Sequence, residues 1–149
     1  MTKQFRDIIA SQLSGVFRCH GAIPDRALEL AVQHGRTIVC VRLAAVREKK
    51  GFLNAVAQAL RFPDYFGHNW DAFYDCLIEL AHGDGATLVL LREASNFART
   101  EPEEFAAALA ALQDAADYWK EKGKVLTVIA ELETPALAAE LTEITLPTA

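Results

Sequence analysis

The sequence predicts an α/β sandwich of two or three layers, in which helices pack on a small, mainly parallel sheet of three or four strands. Two observations carry this prediction. Short, mainly apolar runs at 37–43, 86–91 and 125–130 are typical of strands covered on both faces. Amphipathic helical segments separate the runs, so right-handed crossovers between parallel strands are expected. We expect the first run, 37–43, to be the central strand.

Length and composition favour one domain. The chain has 149 residues, of which 52% are hydrophobic, so a single domain over 1–149 with its core at about 37–130 is expected. No apolar run approaches the roughly 18 residues of a membrane span, and no signal-peptide pattern is visible, so a cytoplasmic protein without membrane contact is expected. The odd cysteine count and its apolar surroundings favour buried, reduced thiols at Cys19, Cys40 and Cys76.

Residues 1–35 are expected to form an additional N-terminal segment. Apolar residues at helical spacing over 5–13 favour a short helix, and residues 15–21 are typical of a strand between two glycines. A second helix is expected over 24–35, with Pro near its start and Gly at its end. This segment would add a fourth strand or cover a sheet edge, and it could equally mediate self-association, which leaves the oligomeric state open.

The later helices have clear start and stop signals. An apolar stripe over 52–60 predicts an amphipathic helix that Pro63 ends. A capping box at 100–103 begins a long helix, whose apolar stripe runs until Gly123. Beyond the last strand, residues 135–149 are expected to form a short helix and a C-terminal tail.

The net charge of −5 is concentrated in one part of the chain. Residues 62–91 contain no Lys or Arg but hold five carboxylates, at Asp64, Asp71, Asp75, Glu79 and Asp84. Phosphate contacts require clustered Lys and Arg, so direct binding to nucleic acid is not expected. A local region of one charge sign favours a basic protein partner instead.

Asn69 is the predicted N-cap of a helix that has two different faces. One face is an expected buried stripe of Trp70, Phe73, Cys76, Leu77 and Leu80. The other carries carboxylates four residues apart, at Asp71, Asp75 and Glu79, with Tyr74 beside them. Like charges at this spacing destabilise a helix by roughly 0.2–0.5 kcal/mol per pair, so the pattern suggests a use in binding. A merely solvated helix face is the alternative interpretation.

Residues 62–77 read Phe-Pro-Asp-Tyr-Phe-Gly-His-Asn-Trp-Asp-Ala-Phe-Tyr-Asp-Cys-Leu. This run resembles the signature of the barstar family, small intracellular inhibitors of secreted microbial ribonucleases, and the order of predicted elements over 37–130 is similar too. The resemblance implies a three-stranded parallel sheet packed with helices. It also implies an inhibitor and not an enzyme, whose loop and helix plug the active site of a ribonuclease.

Carried over by position, the resemblance implies partner contacts at Tyr65, Asn69, Asp71 and Asp75, with Tyr74 where the family's type member has tryptophan. Asp75 would be the leading anchor. The remaining candidates at the border of this surface are His68 and Glu79. A ribonuclease active site holds basic residues that bind phosphate, so carboxylates on a rigid helix can occupy the phosphate positions.

One departure from the family concerns the last long helix. The type member has a further acidic contact there, and counting back from Gly123 places that position at Tyr118, with Asp117 beside it. The sequence therefore leaves open whether the same enzyme is inhibited.

Two other functions stay open. Fold does not fix the partner, so the scaffold could serve as an immunity protein against a different toxin, or as an interaction module. Alternatively, His68, Asp71 and Asp75 could bind a metal or perform acid–base chemistry in an enzyme. The chain has no nucleophile motif, no phosphate loop and no ligand spacing among its histidines, so no catalytic residue, cofactor or metal is expected.

Overall fold

A computed structural model describes residues 2–63, 68–82 and 85–147. Within these ranges the chain forms β1 (Thr2–Gln4), α1 (Phe5–Ala10), β2 (Gly15–His20), α2 (Asp25–Gln33), β3 (Thr37–Arg42), α3 (Lys49–Leu60), α4 (Trp70–Glu79), β4 (Ala86–Arg92), α5 (Ser95–Thr100), α6 (Pro102–Glu121), β5 (Val125–Leu132) and β6 (Thr142–Thr145). Two short 3-10 helices, Leu80–His82 and Pro135–Ala138, follow α4 and β5. No helix in the described ranges has both the length and the apolar character needed to cross a membrane.

The strands form one sheet in the order β1-β6-β2-β5-β4-β3, and every pair is parallel. The register brings four valines into one row across the sheet, where Val39, Val89, Val128 and Val16 are successive neighbours. Branched side chains of this kind pack well on a pleated surface. The predicted α/β class with a mainly parallel sheet is confirmed.

The predicted number of three or four strands is too low, because the sheet formed by the described residues has six. The two additional strands, β1 and β6, have only three and four residues, too few to show a periodic pattern. They pair with each other, and β6 also pairs with β2. The expected C-terminal tail therefore contributes a strand, and the helix expected before it is only a 3-10 helix, Pro135–Ala138.

The prediction that 37–43 is the central strand is wrong. Among the described strands β3 pairs only with β4, so it lies at the end of the sheet. An apolar run favours burial but does not report how many neighbours a strand has, and in β3 only Val41 is buried. Cys40 on β3 is consequently exposed, contrary to expectation, whereas Cys19 and Cys76 are buried as predicted.

Helices cover both faces of the sheet and make a three-layer sandwich. On the α1/α2 face, residues of α1 and α2 pack on inward side chains of the sheet, among them Leu88, Leu90 and Ile129. On the α3–α6 face, the other four helices pack on the alternate residues, including Val89 and Val128. Residues 1–35 thus supply two strands and also the whole α-helical layer of one face.

Buried polar groups join the N-terminal elements to the rest of the sheet. Glu131 on β5 is 3% exposed, accepts the Ile23 N–H at 2.7 Å and pairs with Arg92 at 3.1 Å. At the opposite end of the strands, Arg36 donates to Thr127 Oγ1 at 2.7 Å, and burial lowers the pKa of this guanidinium. These contacts fix the α2 layer at both ends.

Candidate partner-binding surface

The entry into α4 is held by a side-chain cap. Asn69 has an extended backbone, and its Oδ1 accepts the N–H of Ala72 at 2.8 Å, which confirms the predicted N-cap. The residue before it, His68, has a φ of 53°, in the left-handed region. The start of α4 is therefore set by a residue in the left-handed region and by a side-chain cap on the first turn of the helix.

The inner face of α4 is seated in the core of the α3–α6 face. Phe73, Cys76 and Leu77 are buried, and the Phe73 ring lies 5.5 Å from the Trp70 ring and 6.3 Å from the Phe62 ring. The indole N–H of Trp119 on α6 donates to the Leu77 carbonyl at 2.9 Å. This packing fixes α4 against α6, so side chains on its outer face project from a rigid support.

Trp70 lies at the margin of the core. The prediction of a buried stripe had placed it wholly within the core. Its indole N–H donates to Glu104 of α6 at 3.1 Å, and Lys49 Nζ lies 5.5 Å from the ring centroid. Lys49 also approaches Glu104 at 3.9 Å. Trp70 is half-buried and borders the space between α4 and α6.

The outer face of α4 carries the predicted row of carboxylates. Asp71, Asp75 and Glu79 are exposed, and Tyr74 is half-buried beside them. Within the described part of the chain, none of the three carboxylates forms an ion pair or a side-chain hydrogen bond. Burial raises the pKa of the neighbouring Cys76 thiol, with Glu79 and Asp75 as further causes.

A groove of about 590 Å³ runs between α4 and α6. Its α4 side is lined by Trp70, Asp71, Tyr74 and Asp75, and its α6 side by Ala107, Ala110, Ala111 and Asp114. We call this the α4–α6 groove. The lining on α6 is mostly alanine and therefore mainly apolar, and the carboxylates of Asp71, Asp75 and Asp114 also border the groove.

Asp114 was not among the predicted contacts. The two α6 residues that the family resemblance selects are engaged elsewhere: Asp117 Oδ1 accepts from Gln113 Nε2 at 3.0 Å, and Lys122 Nζ lies 5.4 Å from the Tyr118 ring. Neither lines the groove, although Asp114 does. The alanine-rich outer stripe of α6 that ends at Asp114 was the available sequence signal.

Besides Asn69, two predicted contacts precede α4, and they differ in what the structure shows. Tyr65 lies in the segment 64–67, outside the described residues. His68 is exposed next to the capping residue Asn69. Among residues 2–63, 68–82 and 85–147, no group of three or more His, Cys, Asp and Glu side chains is placed to hold a metal ion.

The fold and this surface define a three-layer α/β protein that presents carboxylates on the outside of a rigid helix. A sequence profile of the Barstar family, described as barnase inhibitor, matches residues 36–131. The chain therefore belongs to the barstar family, and the resemblance seen in 62–77 is confirmed. The N-terminal elements up to Gly35 lie outside that match.

Among solved structures, the ORC2 protein of Aeropyrum pernix, solved as ADPNP-ADP complexes, is similar to this chain with a TM-score of 0.62. The sequences are 12% identical, and the similarity covers 95% of this chain but only 44% of the other, so it shows the fold alone. No curated protein matches the chain. The shared fold includes the N-terminal elements that the family match leaves out.

Proposed function

We propose that the protein binds and blocks the active site of a basic ribonuclease through the outer face of α4 and the loop before it. The observation that carries this proposal is the row of exposed carboxylates on α4, which have no ion-pair partner in the described part of the chain. Membership of the barstar family supports an inhibitor over an enzyme.

The proposed mechanism is mimicry of phosphate by carboxylate. A ribonuclease active site presents Arg, Lys and His to the phosphates of its substrate, and a carboxylate accepts charge-assisted hydrogen bonds from the same groups. Asp75 lies midway along the acidic row and is the proposed anchor. The other proposed contacts are Tyr65, His68, Asn69, Asp71, Tyr74 and Glu79. Because α4 is already fixed by its buried face, little ordering of the helix is needed on binding.

Long-range attraction would add to the contacts at the surface. The protein carries a net charge of −5, so a basic partner is steered toward it, and salt screens this attraction. The barnase–barstar pair is itself the standard case of such steering, so the expected salt dependence follows from the family and is not independent support. An inhibitor of this kind would protect its own cell, which is consistent with a cytoplasmic location.

A second candidate function keeps the surface and changes the partner. At the position of the family's later acidic contact this chain has Tyr118, whose ring is approached by Lys122. A cation at that point would repel a basic enzyme that contacts the acidic residue of the type member at this position. This observation favours an immunity role against a different basic toxin as the alternative.

The test is inhibition and binding of barnase and of other basic ribonucleases, compared between Asp75→Ala and Glu29→Ala. Both residues are exposed acids, but Glu29 lies on α2, on the opposite side of the sheet. Asp75→Ala should weaken binding by ~2 kcal/mol or more, about 30-fold in Kd, while Glu29→Ala changes it less than about twofold. Equal effects of the two variants, or no inhibition of any basic ribonuclease, would refute the proposal.

A further inference from the structure

We infer that the edge of the sheet at β3 pairs with β3 of a second copy of this chain, antiparallel about a two-fold axis, so that two six-stranded sheets become one. The inference concerns a different surface from α4 and does not depend on the proposed function. Successive residues of a strand direct their backbone groups to opposite sides, so part of the β3 backbone points away from β4. Within the described ranges, no backbone hydrogen bond reaches residues 38–42 from that outer side.

The two edges of the sheet differ in the features that keep sheet edges from pairing. β1, at the other edge, has only three residues, and one of them is Lys3. Short edge strands and lysine both protect against edge-to-edge pairing, as do proline and bulges. β3 has six residues and an uninterrupted register with β4, and it has neither proline nor charge from Thr37 to Val41. The β3 edge therefore lacks the protection that β1 has.

Apolar surface borders β3 on both faces of the sheet. On one face, a groove of about 630 Å³ lies between β3 and the ends of α3 and α4, and its lining is mainly apolar, with Val39, Leu60 and Leu77 among it. On the other face, α2 packs beside β3. This helix carries Val32, which is 61% exposed and is the one exposed large apolar side chain among the described residues. A second strand added at β3 would remove part of this surface from water.

The strand is complementary to itself. A two-fold axis perpendicular to the sheet makes the strands antiparallel and keeps the two faces of the joined sheet continuous. The two registers that pair β3 most completely place Val39 opposite Val39 or Val41 of the second copy, on the side of the groove. They place Cys40, which is exposed, opposite Cys40 or Ile38 of the second copy on the other side. Pairs of branched side chains in such positions stabilise a sheet.

The size of this edge is close to what a weak dimer needs. Six residues extend for roughly 20 Å and the helical layers lie about 10 Å above and below, so the edge presents on the order of 500 Å² per copy. A standard interface buries about 800 Å² per partner. The net charge of −5 on each copy also opposes association. We therefore expect a dissociation constant of ~10–100 µM.

Cys40→Lys and Thr2→Lys form a matched pair, because each adds one lysine at an exposed position of an end strand, at opposite edges of the sheet. In the first arm, sedimentation velocity over about 1 to 300 µM measures the Kd of a reversible dimer. Cys40→Lys places like charges across the two-fold axis and should raise Kd at least about tenfold, whereas Thr2→Lys should change it less than about twofold. Added salt should tighten the dimer, opposite to its effect on the proposed ribonuclease complex.

In the second arm, a bifunctional maleimide with a short spacer tests the geometry. Cys19 and Cys76 are buried, so the reagent should link Cys40 to Cys40 of the second copy, in a fraction that rises with protein concentration. Peptide mass spectrometry identifies the linked residues. Cys40→Ser should associate as the wild type does and give no covalent dimer.

Three results would overturn the inference: a monomer at every concentration, equal effects of the two lysine variants, or a dimer without a link between the two Cys40 residues. A monomer whose 38–42 amides are protected from hydrogen exchange only by an added extended peptide would assign the edge to a strand of another protein, and would also overturn it. Far-UV circular dichroism of each variant checks that the fold is retained.

Discussion

The α1/α2 face of the sheet and helix α4 on the α3–α6 face differ in the charges of their exposed side chains. The exposed side chains of α1 and α2 carry both signs, at Arg6, Asp7, Arg26 and Glu29. On α4 all the exposed charges are negative, and none of them is paired in the part of the chain that the structure describes. Both layers are anchored by buried apolar side chains, so the difference lies in the outer surface and not in the core.

Charged groups on the two faces have different roles, in stability on one face and in recognition on the other. Beneath the α1/α2 layer, the buried carboxylate of Glu131 has Arg92 and the Ile23 N–H as partners, so its charge is satisfied within the fold. The carboxylates of α4 are left for an external cation. Substitutions on the first face should therefore change the free energy of unfolding alone, whereas substitutions on α4 should change affinity, with or without a change in stability.

The largest expected effect comes from truncating one buried ring on each face. Phe5 of α1 and Phe73 of α4 are both 0% exposed, so Phe5→Ala and Phe73→Ala should each lower the free energy of unfolding by ~3–5 kcal/mol. Urea denaturation measures this loss. Only Phe73→Ala should also weaken barnase binding by the folded protein, because Phe73 supports the acidic helix. A loss of affinity in Phe5→Ala would show that the two faces are not separable.

A smaller effect concerns how completely the α1/α2 layer shields the sheet from solvent. Burial raises the pKa of Cys19 to about 12, with Glu131 as a further cause, so at pH 8 this thiol is neutral as well as inaccessible. Cys40 on the end strand is exposed. Iodoacetamide at pH 8 should modify Cys40 at least about tenfold faster than Cys19, as followed by mass spectrometry of the intact protein and its peptides. Similar rates would mean that the layer opens readily at β2.

The smallest effect has opposite signs for stability and binding. Asp75 lies four residues from both Asp71 and Glu79 on α4, so Asp75→Asn removes two like-charge pairs. It should raise the free energy of unfolding by roughly 0.2–0.5 kcal/mol per pair while weakening the proposed complex. Thermal denaturation at low salt measures the first change. A decrease in stability would mean that Asp75 has a structural role.

The local structure of the binding helix was predictable from the sequence because its causes are local. The Asn69 cap depends on a residue three positions away, and the separation of α4 into a buried and an acidic face follows from helical periodicity. The four longer strands, β2, β3, β4 and β5, were also predicted close to their observed ranges in the sequence.

The features that the sequence did not predict depend on contacts between distant segments of the chain. β1 and β6 are too short to have a pattern of their own and exist because they pair with each other. The position of β3 at the end of the sheet depends on the order of the strands, and the apolar content of a strand does not encode that order. Asp114 became a candidate only when the packing of α6 against α4, through Trp119 and Leu77, placed it across the groove.

The strands that pair with β2 determine how early during synthesis the complete sheet can form. Both of its neighbours, β5 and β6, follow it in the chain by on the order of 100 residues. A ribosome adding about 5–20 residues per second needs roughly 5 to 20 s to produce them. During that interval β2 has neither of its neighbouring strands to pair with, so its unpaired edges favour aggregation in competition with folding.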